Sequence, residues 1–231
     1  MASYVSSGTA TSSAVSTLLK SLYMQMAAAL TVTGITAYFL ASSPRFWQIM
    51  MENPSLLWIA LIAQIALVIW LSARVMTMSM SKATMLFILY SVLMGVSMSS
   101  IFMVYTMGSI ASTFFITAGT FLVMSIIGYV TRIDLSRIGS ILLMALIGII
   151  IASVVNIFLH SETLYWIVSF AGVLIFVGLT AYDTQKVKEM VQLFGVADDM
   201  GHKLALFGAL TLYLDFINLF LHLLRILGNR E

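Results

Sequence analysis

Long apolar stretches separated by short polar segments make up most of the chain. Seven stretches reach about 20 residues, the length that a helix needs to cross a hydrocarbon core roughly 30 Å thick. They are residues 21–41, 56–73, 83–105, 110–130, 138–159, 164–182 and 209–227. None alternates between apolar and polar residues with a period of two, so a transmembrane β-barrel is excluded. The pattern predicts an all-α membrane protein with seven transmembrane helices.

The polar segments leave little room for other domains. Residues 1–19 carry no charged side chain, are rich in serine and threonine, and lack the basic region and apolar run of a signal peptide. We predict a disordered cytoplasmic tail over residues 1–19 and a single seven-helix membrane domain over residues 20–231. The interval 184–208 reads as the loop before the last span, and no loop is long enough for a soluble catalytic domain.

The composition supports this fold class and limits the chemistry. Hydrophobic residues make up 61% of the chain and charged residues 9%, whereas a typical soluble domain has about 25% charged residues. The net charge of +2 gives no indication of a nucleic-acid partner, and a sequence without cysteine excludes disulfides, iron–sulfur clusters and thiol nucleophiles. We expect the lipid bilayer as a partner and no cofactor other than weakly bound calcium.

Basic residues indicate which ends of the spans face the cytoplasm, because lysine and arginine concentrate in short cytoplasmic loops. The side of the amino terminus carries Lys20, Arg74, Lys82, Arg132, Arg137, Lys186, Lys188 and Lys203. If all seven stretches cross, the opposite side carries Arg45, Arg225 and Arg230. We therefore predict a cytoplasmic amino terminus in a plasma membrane. If the last stretch instead returned to its own side, Arg225 and Arg230 would join the majority; its length favours a crossing.

Asp215 is the one acidic residue inside a predicted span. It lies six residues past the start of the last stretch, or about 9 Å at the rise of an α-helix. A carboxylate at that depth costs several kcal/mol unless it is paired, hydrated or protonated, so intramembrane acids are candidate functional residues. The alternative is a protonated Asp215 that only bonds a neighbouring helix.

Asp183 is the predicted partner of Asp215. It closes the sixth span just before Lys186 and Lys188, so both aspartates belong to the cytoplasmic half of the membrane. Neighbouring carboxyls there would oppose full ionisation and titrate as a unit, with a shared proton holding their helices together at lower pH. Loss of the proton would separate the helices or recruit a cation. The alternative for Asp183 is a loop carboxylate paired with Lys186.

Calcium is the cation that suits two carboxylates, because it binds hard oxygen ligands. It usually takes six to eight such ligands, so water would have to contribute and binding would be weak. A pH-gated conductance is therefore more plausible than a tight calcium store. Arg74, at the end of the second span, is a candidate gate partner that would reach the pair by snorkelling; the alternative is a simple boundary marker.

Other polar and small residues predict helix packing. Asn156 and Asn218 are expected to form hydrogen bonds between helices. Small residues that let helix backbones approach each other recur every four positions. These are Ala29, Thr33 and Ala37, then Ser91, Gly95 and Ser99, and then Gly148 and Ala152.

The two aspartate segments resemble those of the transmembrane Bax-inhibitor-motif family, in its bacterial branch. Residues 178–188 read Gly-Leu-Thr-Ala-Tyr-Asp-Thr-Gln-Lys-Val-Lys, and residues 212–220 read Leu-Tyr-Leu-Asp-Phe-Ile-Asn-Leu-Phe. The resemblance extends over essentially the whole chain. It implies a last helix that is central between two three-helix layers. It also implies a pH-sensitive calcium leak in the bacterial inner membrane, with Asp183 and Asp215 as proton sensor and gate and Arg74 as the nearest match to an arginine that contacts them.

Two other functions remain as alternatives to a passive calcium leak. One is a non-catalytic modulator of membrane proteases or other membrane proteins. The other is an intramembrane aspartyl protease, in which paired aspartates share a proton and activate water. Tyr182-Asp183 matches one element of presenilin-like enzymes, but Asp215 follows Tyr213-Leu214 instead of Gly-x-Gly, and no proline occurs after Pro54. We therefore predict a protein that is not an enzyme.

Overall fold

The computed structural model describes residues 3–194 and 199–229, and side chains within 14–193 and 199–229. Arg230 lies outside this part. The described residues form α-helices and one 3-10 helix, with no strand. The α-helices are α1 (Ser3–Ala41), α2 (Pro44–Glu52), α3 (Ser55–Arg74), α4 (Met80–Met98), α5 (Met107–Val130), α6 (Ser136–Leu159), α7 (Glu162–Phe194) and α8 (Asp199–Leu227). All except α2 are long and apolar enough to cross a membrane, which confirms the seven predicted spans.

The last two helices are longer than the sequence predicts. Helix α7 continues from Glu162 to Phe194, and α8 begins at Asp199. Most of the predicted loop 184–208 is therefore helical. The prediction ended each span where charged residues begin, but backbone hydrogen bonds continue a helix through charged residues as well. As a result Asp183 lies within a helix rather than at its end.

Helix α1 also differs from its prediction. It begins at Ser3, although residues 1–19 were predicted to be a disordered tail. Leu18, within the predicted tail, is almost fully buried, which favours a helix in this part of the tail. Alanine, serine and threonine permit a helix when one face is packed, so a polar composition alone was a poor guide to disorder here.

Helix α2 is a short element that the sequence analysis did not predict. The Ser43 hydroxyl accepts a hydrogen bond from the Phe46 backbone N–H at 3.3 Å, and Pro44 occupies the first turn, where its missing N–H does no harm. No residue of α2 is buried. Further along, the 3-10 helix Ser99–Met103 continues α4, so the predicted span 83–105 consists of two helical elements.

The helices form two compact units. The first unit comprises Met1–Val104 with Glu189–Leu210, and the second comprises Tyr105–Lys188 with Thr211–Glu231. In the first unit α1 packs closely on α4, and the Thr33 hydroxyl donates to the Ser91 carbonyl oxygen at 3.0 Å. A Cβ atom at Gly95 would overlap Thr36. The small residues predicted on these two helices therefore do form a helix contact.

The second unit contains α5, α6, most of α7 and the second half of α8. Phe216 of α8 packs edge-on against Phe114 and Phe121 of α5, with ring centroids 5.5 Å apart in both pairs. On α6, however, Gly148 has no atom within 4 Å of a Cβ built on it, so the predicted contact at Gly148 and Ala152 is wrong for Gly148. Gly148 lies on an exposed face of α6, where none of the other described helices packs closely and a small residue has no packing role.

Helix α8 is the most buried of the seven long helices. In the most apolar stretch of α8, 72% of the residues are buried. The corresponding share is 44% for α7 and lower for the other five helices. Such burial is what a central last helix requires. The arrangement of two three-helix layers around it stays a prediction, as does the single membrane domain.

Candidate functional site

Close packing within the second unit holds the part of α7 that carries Asp183. A Cβ atom at Gly128 of α5 would overlap the Ala181 backbone, and one at Gly139 of α6 would overlap the Tyr182 ring. Both glycines therefore let α7 approach its neighbours more closely than any side chain would permit. The two residues before Asp183 are fixed by these contacts.

Hydrogen bonds hold the next turn of α7. The Gln185 side chain accepts from the Leu135 N–H and donates to the Ile133 carbonyl, both at 2.8 Å, and so ties α7 to the α5–α6 loop. One turn further, the Lys188 ammonium donates to the Tyr129 carbonyl at 2.7 Å and lies over the Tyr129 ring. Lysine and glutamine thus position this end of α7 from the side facing the loop.

The structure brings Asp183 and Asp215 together. Their side chains are hydrogen-bonded to each other, from α7 to α8. Asp215 is only 5% exposed, and its Oδ2 has no hydrogen-bond partner among the described residues. The predicted contact between two carboxyls distant in sequence is therefore present. The alternative of a loop carboxylate paired with Lys186 is wrong about the loop, because Asp183 lies within α7.

A hydrogen bond between two carboxyl groups requires a proton. A carboxylate is only an acceptor, so the bond forms while one of Asp183 and Asp215 carries an O–H that donates to the other. The arrangement can hold one negative charge with the proton in place. Removing that proton would leave two acceptors side by side with no bond between them, which favours separation or a cation.

The pair lines a cavity of about 540 Å³ between α6, α7 and α8. One wall is a polar row on α8, made up of Thr211, Asp215, Asn218, His222 and Arg225. Successive members are four or three residues apart, which places them on one face of the helix. The opposite wall, on α6, is mostly leucine, isoleucine and valine. A one-sided polar cavity of this kind can hold water and present oxygen and nitrogen atoms to a small ion.

Two smaller cavities follow the first along α6 and α7. A cavity of about 290 Å³ shares Ser153, Ile157 and Arg225 with the large one. The next, of about 340 Å³, is lined by Tyr165 and Glu162 near the start of α7. From Glu162 to Asp183 is 21 residues of helix, or about 31 Å, which matches the thickness of a hydrocarbon core. The cavities therefore succeed one another over the depth of a membrane.

Arg74 is not among the residues that line this cavity. It ends α3 in the first unit, is exposed, and lines a groove of about 690 Å³ together with Lys82 and Trp70. Its basic neighbour and exposed position suit a residue at a membrane boundary. Its predicted role as gate partner stays a prediction.

The two asparagines do not behave as predicted. The Asn218 amide donates to the Leu214 carbonyl one turn earlier in α8, at 2.8 Å. The Asn156 side-chain oxygen accepts from the Ser161 N–H at 2.9 Å, at the end of α6. The expectation of bonds between helices is wrong because each amide finds a backbone partner close by in sequence.

His222 is the member of the polar row that sequence reasoning missed. Its ring stacks on Phe176 with centroids 5.7 Å apart, and it is 9% exposed. The signal was present in the sequence, since His222 follows Asp215 by seven residues and Asn218 by four. It was overlooked because a single histidine in an apolar helix does not indicate a functional site unless the other residues on its face of the helix are considered.

These features define a class: a multi-pass, all-α membrane protein with a hydrogen-bonded pair of acids in its interior. The chain belongs to the Bax inhibitor-like family, because the family model described as "Inhibitor of apoptosis-promoting Bax1" matches residues 15–231. It is 51% identical to Inner membrane protein YbhL of Escherichia coli K12, over 93% of this chain and 92% of the relative. It is 45% identical to a protein of Borreliella burgdorferi over 92% of both chains. The resemblance read from the aspartate segments is thereby confirmed, and with it a multi-pass protein of the inner membrane.

Proposed function

We propose that this protein is a pH-sensitive, passive calcium leak of the bacterial inner membrane, gated by Asp183 and Asp215. The observation that carries the proposal is the hydrogen bond between these two carboxyls at the wall of a cavity in the second unit. The succession of further cavities toward Glu162 supports a route of membrane depth. The predicted cytoplasmic amino terminus places the pair at the cytoplasmic end of that route.

The proton shared by the pair acts as the closing element. While it is present, one O–H···O bond joins α7 to α8 beside the cavity. When it leaves, two anions face each other, so the helices separate or a cation enters between them. The leak is therefore expected to increase as the pH rises.

Calcium is the substrate and not a resident cofactor in this proposal. The part of the chain that the structure describes has no group of three or more histidine, aspartate or glutamate side chains placed to hold a metal ion. Asp183 and Asp215 supply at most four carboxylate oxygens, so water must complete the coordination of a calcium ion. Such weak binding permits passage, whereas a full set of protein ligands would retain the ion.

The test is calcium influx into sealed liposomes that contain the protein and a calcium-sensitive dye, measured between about pH 6 and pH 8. We expect influx to be faster at the higher pH. In Asp215→Asn an amide N–H takes the place of the shared proton at every pH, so influx is expected to stay low and to lose the pH dependence that the pair confers. Asp183→Asn is expected to do the same.

The matched control is Asp134→Asn, the same substitution at an exposed loop aspartate of the second unit. It is expected to keep the pH profile of the unsubstituted protein. Absence of influx at any pH in vesicles shown to be sealed contradicts the proposal. An unchanged pH profile in Asp215→Asn contradicts the role of the pair.

A second candidate function is a non-catalytic modulator of membrane proteases or other membrane proteins. It is supported by α6, whose most apolar stretch has no buried residue and leaves Gly148 open, so a partner helix has a surface to pack on. The description of the family as an inhibitor agrees with it. This function predicts no calcium influx, together with an altered cleavage rate when a membrane protease is reconstituted in the same vesicles. An aspartyl protease would instead cleave a transmembrane peptide and lose that activity in Asp183→Asn.

A further inference from the structure

His222 lies deep in the second unit with one ring nitrogen unsatisfied. It is 9% exposed, and its Nδ1 has no hydrogen-bond partner among the described residues. One face of the ring stacks on Phe176. On the same helix, Gly172 is so close that a Cβ atom there would overlap the imidazole. The ring is therefore held in place by packing, with its Nδ1 free of hydrogen bonds to the described residues.

A buried polar atom without a partner costs about 1–3 kcal/mol, so such atoms normally have a bound water or ion beside them. His222 lines the same cavity of about 540 Å³ as the aspartate pair. That volume is many times the roughly 30 Å³ of a water molecule. Asp215 Oδ2 is a second buried, unpartnered polar atom in this cavity. The two orphaned atoms, about 10 Å apart along α8, indicate water in the part of the cavity between Asp215 and His222.

We propose that His222 is a second proton-binding site of this cavity, reached through water and distinct from the aspartate pair. The imidazole would take its proton from cavity water: an O–H bond of hydronium breaks, an N–H bond forms on the ring, and water remains. Binding of a proton here requires only the cavity, the packed ring and its unsatisfied nitrogen.

The charged groups around His222 decide what its proton does. In the lining of this cavity α7 contributes Asp183, α8 contributes Asp215 and Arg225, and α6 contributes no ionisable group. Arg225, one turn further along α8, lies over the ring of Tyr165. A protonated His222 would place a second positive charge beside Arg225. Both charges would then lie on the path that a cation takes along the polar row after it leaves the aspartates.

The consequence for transport rests on the calcium leak proposed above. A cation that leaves the aspartate pair along the polar row must pass His222. The neutral ring offers a lone pair to water or the ion, whereas the protonated ring repels the ion. His222 thus adds a second pH-dependent barrier, and the leak is expected to respond to pH even where the aspartates no longer change their protonation.

Proton binding is tested without any transport measurement, by NMR of the full chain in lipid nanodiscs with labelled histidine. The sequence has three histidines, so His222→Gln assigns one signal and His202→Gln, the matched control on the same helix, assigns another. We expect the His222 signal to titrate within the range of about pH 4 to 9 that covers most protein histidines. We also expect it to show exchange with water. A His222 signal that neither titrates nor contacts water over this range overturns the inference.

The transport consequence has its own readout in the liposome assay, extended down to about pH 4 so that it covers the range of the NMR titration. His222→Gln keeps a polar side chain of similar size that cannot bind a proton, and we expect it to lose one component of the pH response while calcium still leaks. His202→Gln is expected to keep both components. If His222→Gln retains the complete pH response although His222 titrates by NMR, the barrier role is overturned and proton binding stands. If the unsubstituted protein gives no leak, the proposed function fails while the NMR result still decides the site.

Discussion

Gly139 of α6 lies against the ring of Tyr182, the residue that precedes Asp183 in α7. Gly128 of α5 is in equally close contact with the backbone of Ala181. The position of Asp183, and with it the hydrogen bond to Asp215, therefore depends on two glycines that belong to other helices. A membrane helix has few other means of fixing a side chain, since close backbone approach replaces the hydrophobic effect as the source of packing energy.

The first prediction concerns this contact. Gly139→Val should lower the free energy of unfolding by about 1–3 kcal/mol, because the added methyl groups overfill a packed site. Denaturant unfolding in detergent micelles measures it. Gly148→Val on the same helix is the control, since open space surrounds Gly148 and the change should stay within about 0.5 kcal/mol. Equal effects at the two positions would show that Tyr182 does not depend on close approach.

The second prediction concerns Gln185, which bonds both the Leu135 N–H and the Ile133 carbonyl. Gln185→Leu leaves these backbone groups without partners and should cost about 1–3 kcal/mol. Hydrogen exchange of residues 131–135 should become faster, as followed by mass spectrometry. Gln48→Leu on α2 is the control, because the exposed Gln48 amide bonds only the Glu52 side chain. Unchanged exchange in Gln185→Leu would contradict the role of this residue in fixing the loop.

Much of the fold could be predicted from the sequence because one physical requirement, a helix long enough to cross the membrane, is visible as apolar length. The depth of Asp183 and Asp215 could be predicted for the same reason. The ends of α7 and α8 could not, since both helices continue through charged residues beyond the apolar stretches, where hydropathy carries no information about helix length. Helix α2 has too few apolar residues to register as a span, and its cap at Ser43 was the signal that could have revealed it.

The site was predicted in part. Two carboxyls at the same depth on consecutive spans favoured a contact, because an isolated charge in lipid is so unfavourable. The rest of the polar row on α8 was not predicted, although its spacing from Asp215 was visible in the sequence. Whether Asn218 and His222 face Asp183 or the lipid depends on the rotation of α8, and Phe216 and Phe220 settle that rotation by packing on Phe114.

The third prediction concerns Asp134, in the loop before α6. The backbone N–H of Ser136, at 2.8 Å, and then the Ser136 side chain hold the pKa of the Asp134 carboxyl below its usual value. A lowered pKa in the folded state means that the contribution to stability is present above the pKa of the unfolded chain, about 3.9, and is lost as the pH falls through the folded value. Asp134→Asn should therefore lower the thermal unfolding temperature at neutral pH.

The difference between Asp134→Asn and the unsubstituted protein should disappear in acid, where the carboxyl is protonated in both states. Ser136→Ala removes the side-chain bond alone, so most of the pH dependence should remain in that variant. Thermal unfolding over a range of pH measures all three proteins. A difference that is the same at every pH would mean that Asp134 acts through its shape and not its charge.

The fourth prediction tests Arg74, whose role as gate partner rests on the sequence and on the family resemblance. A guanidinium near the aspartate pair would favour the deprotonated pair. Without the guanidinium, a higher pH should be needed to reach the same rate of calcium influx. Arg74→Gln is therefore expected to move the pH midpoint of calcium influx upward. Lys82→Gln is the control, because Lys82 lines the same groove as Arg74 and its loss removes the same charge. Identical shifts in the two variants would mean that Arg74 acts only through the general field of the cytoplasmic surface, and no shift in either would make Arg74 a boundary marker.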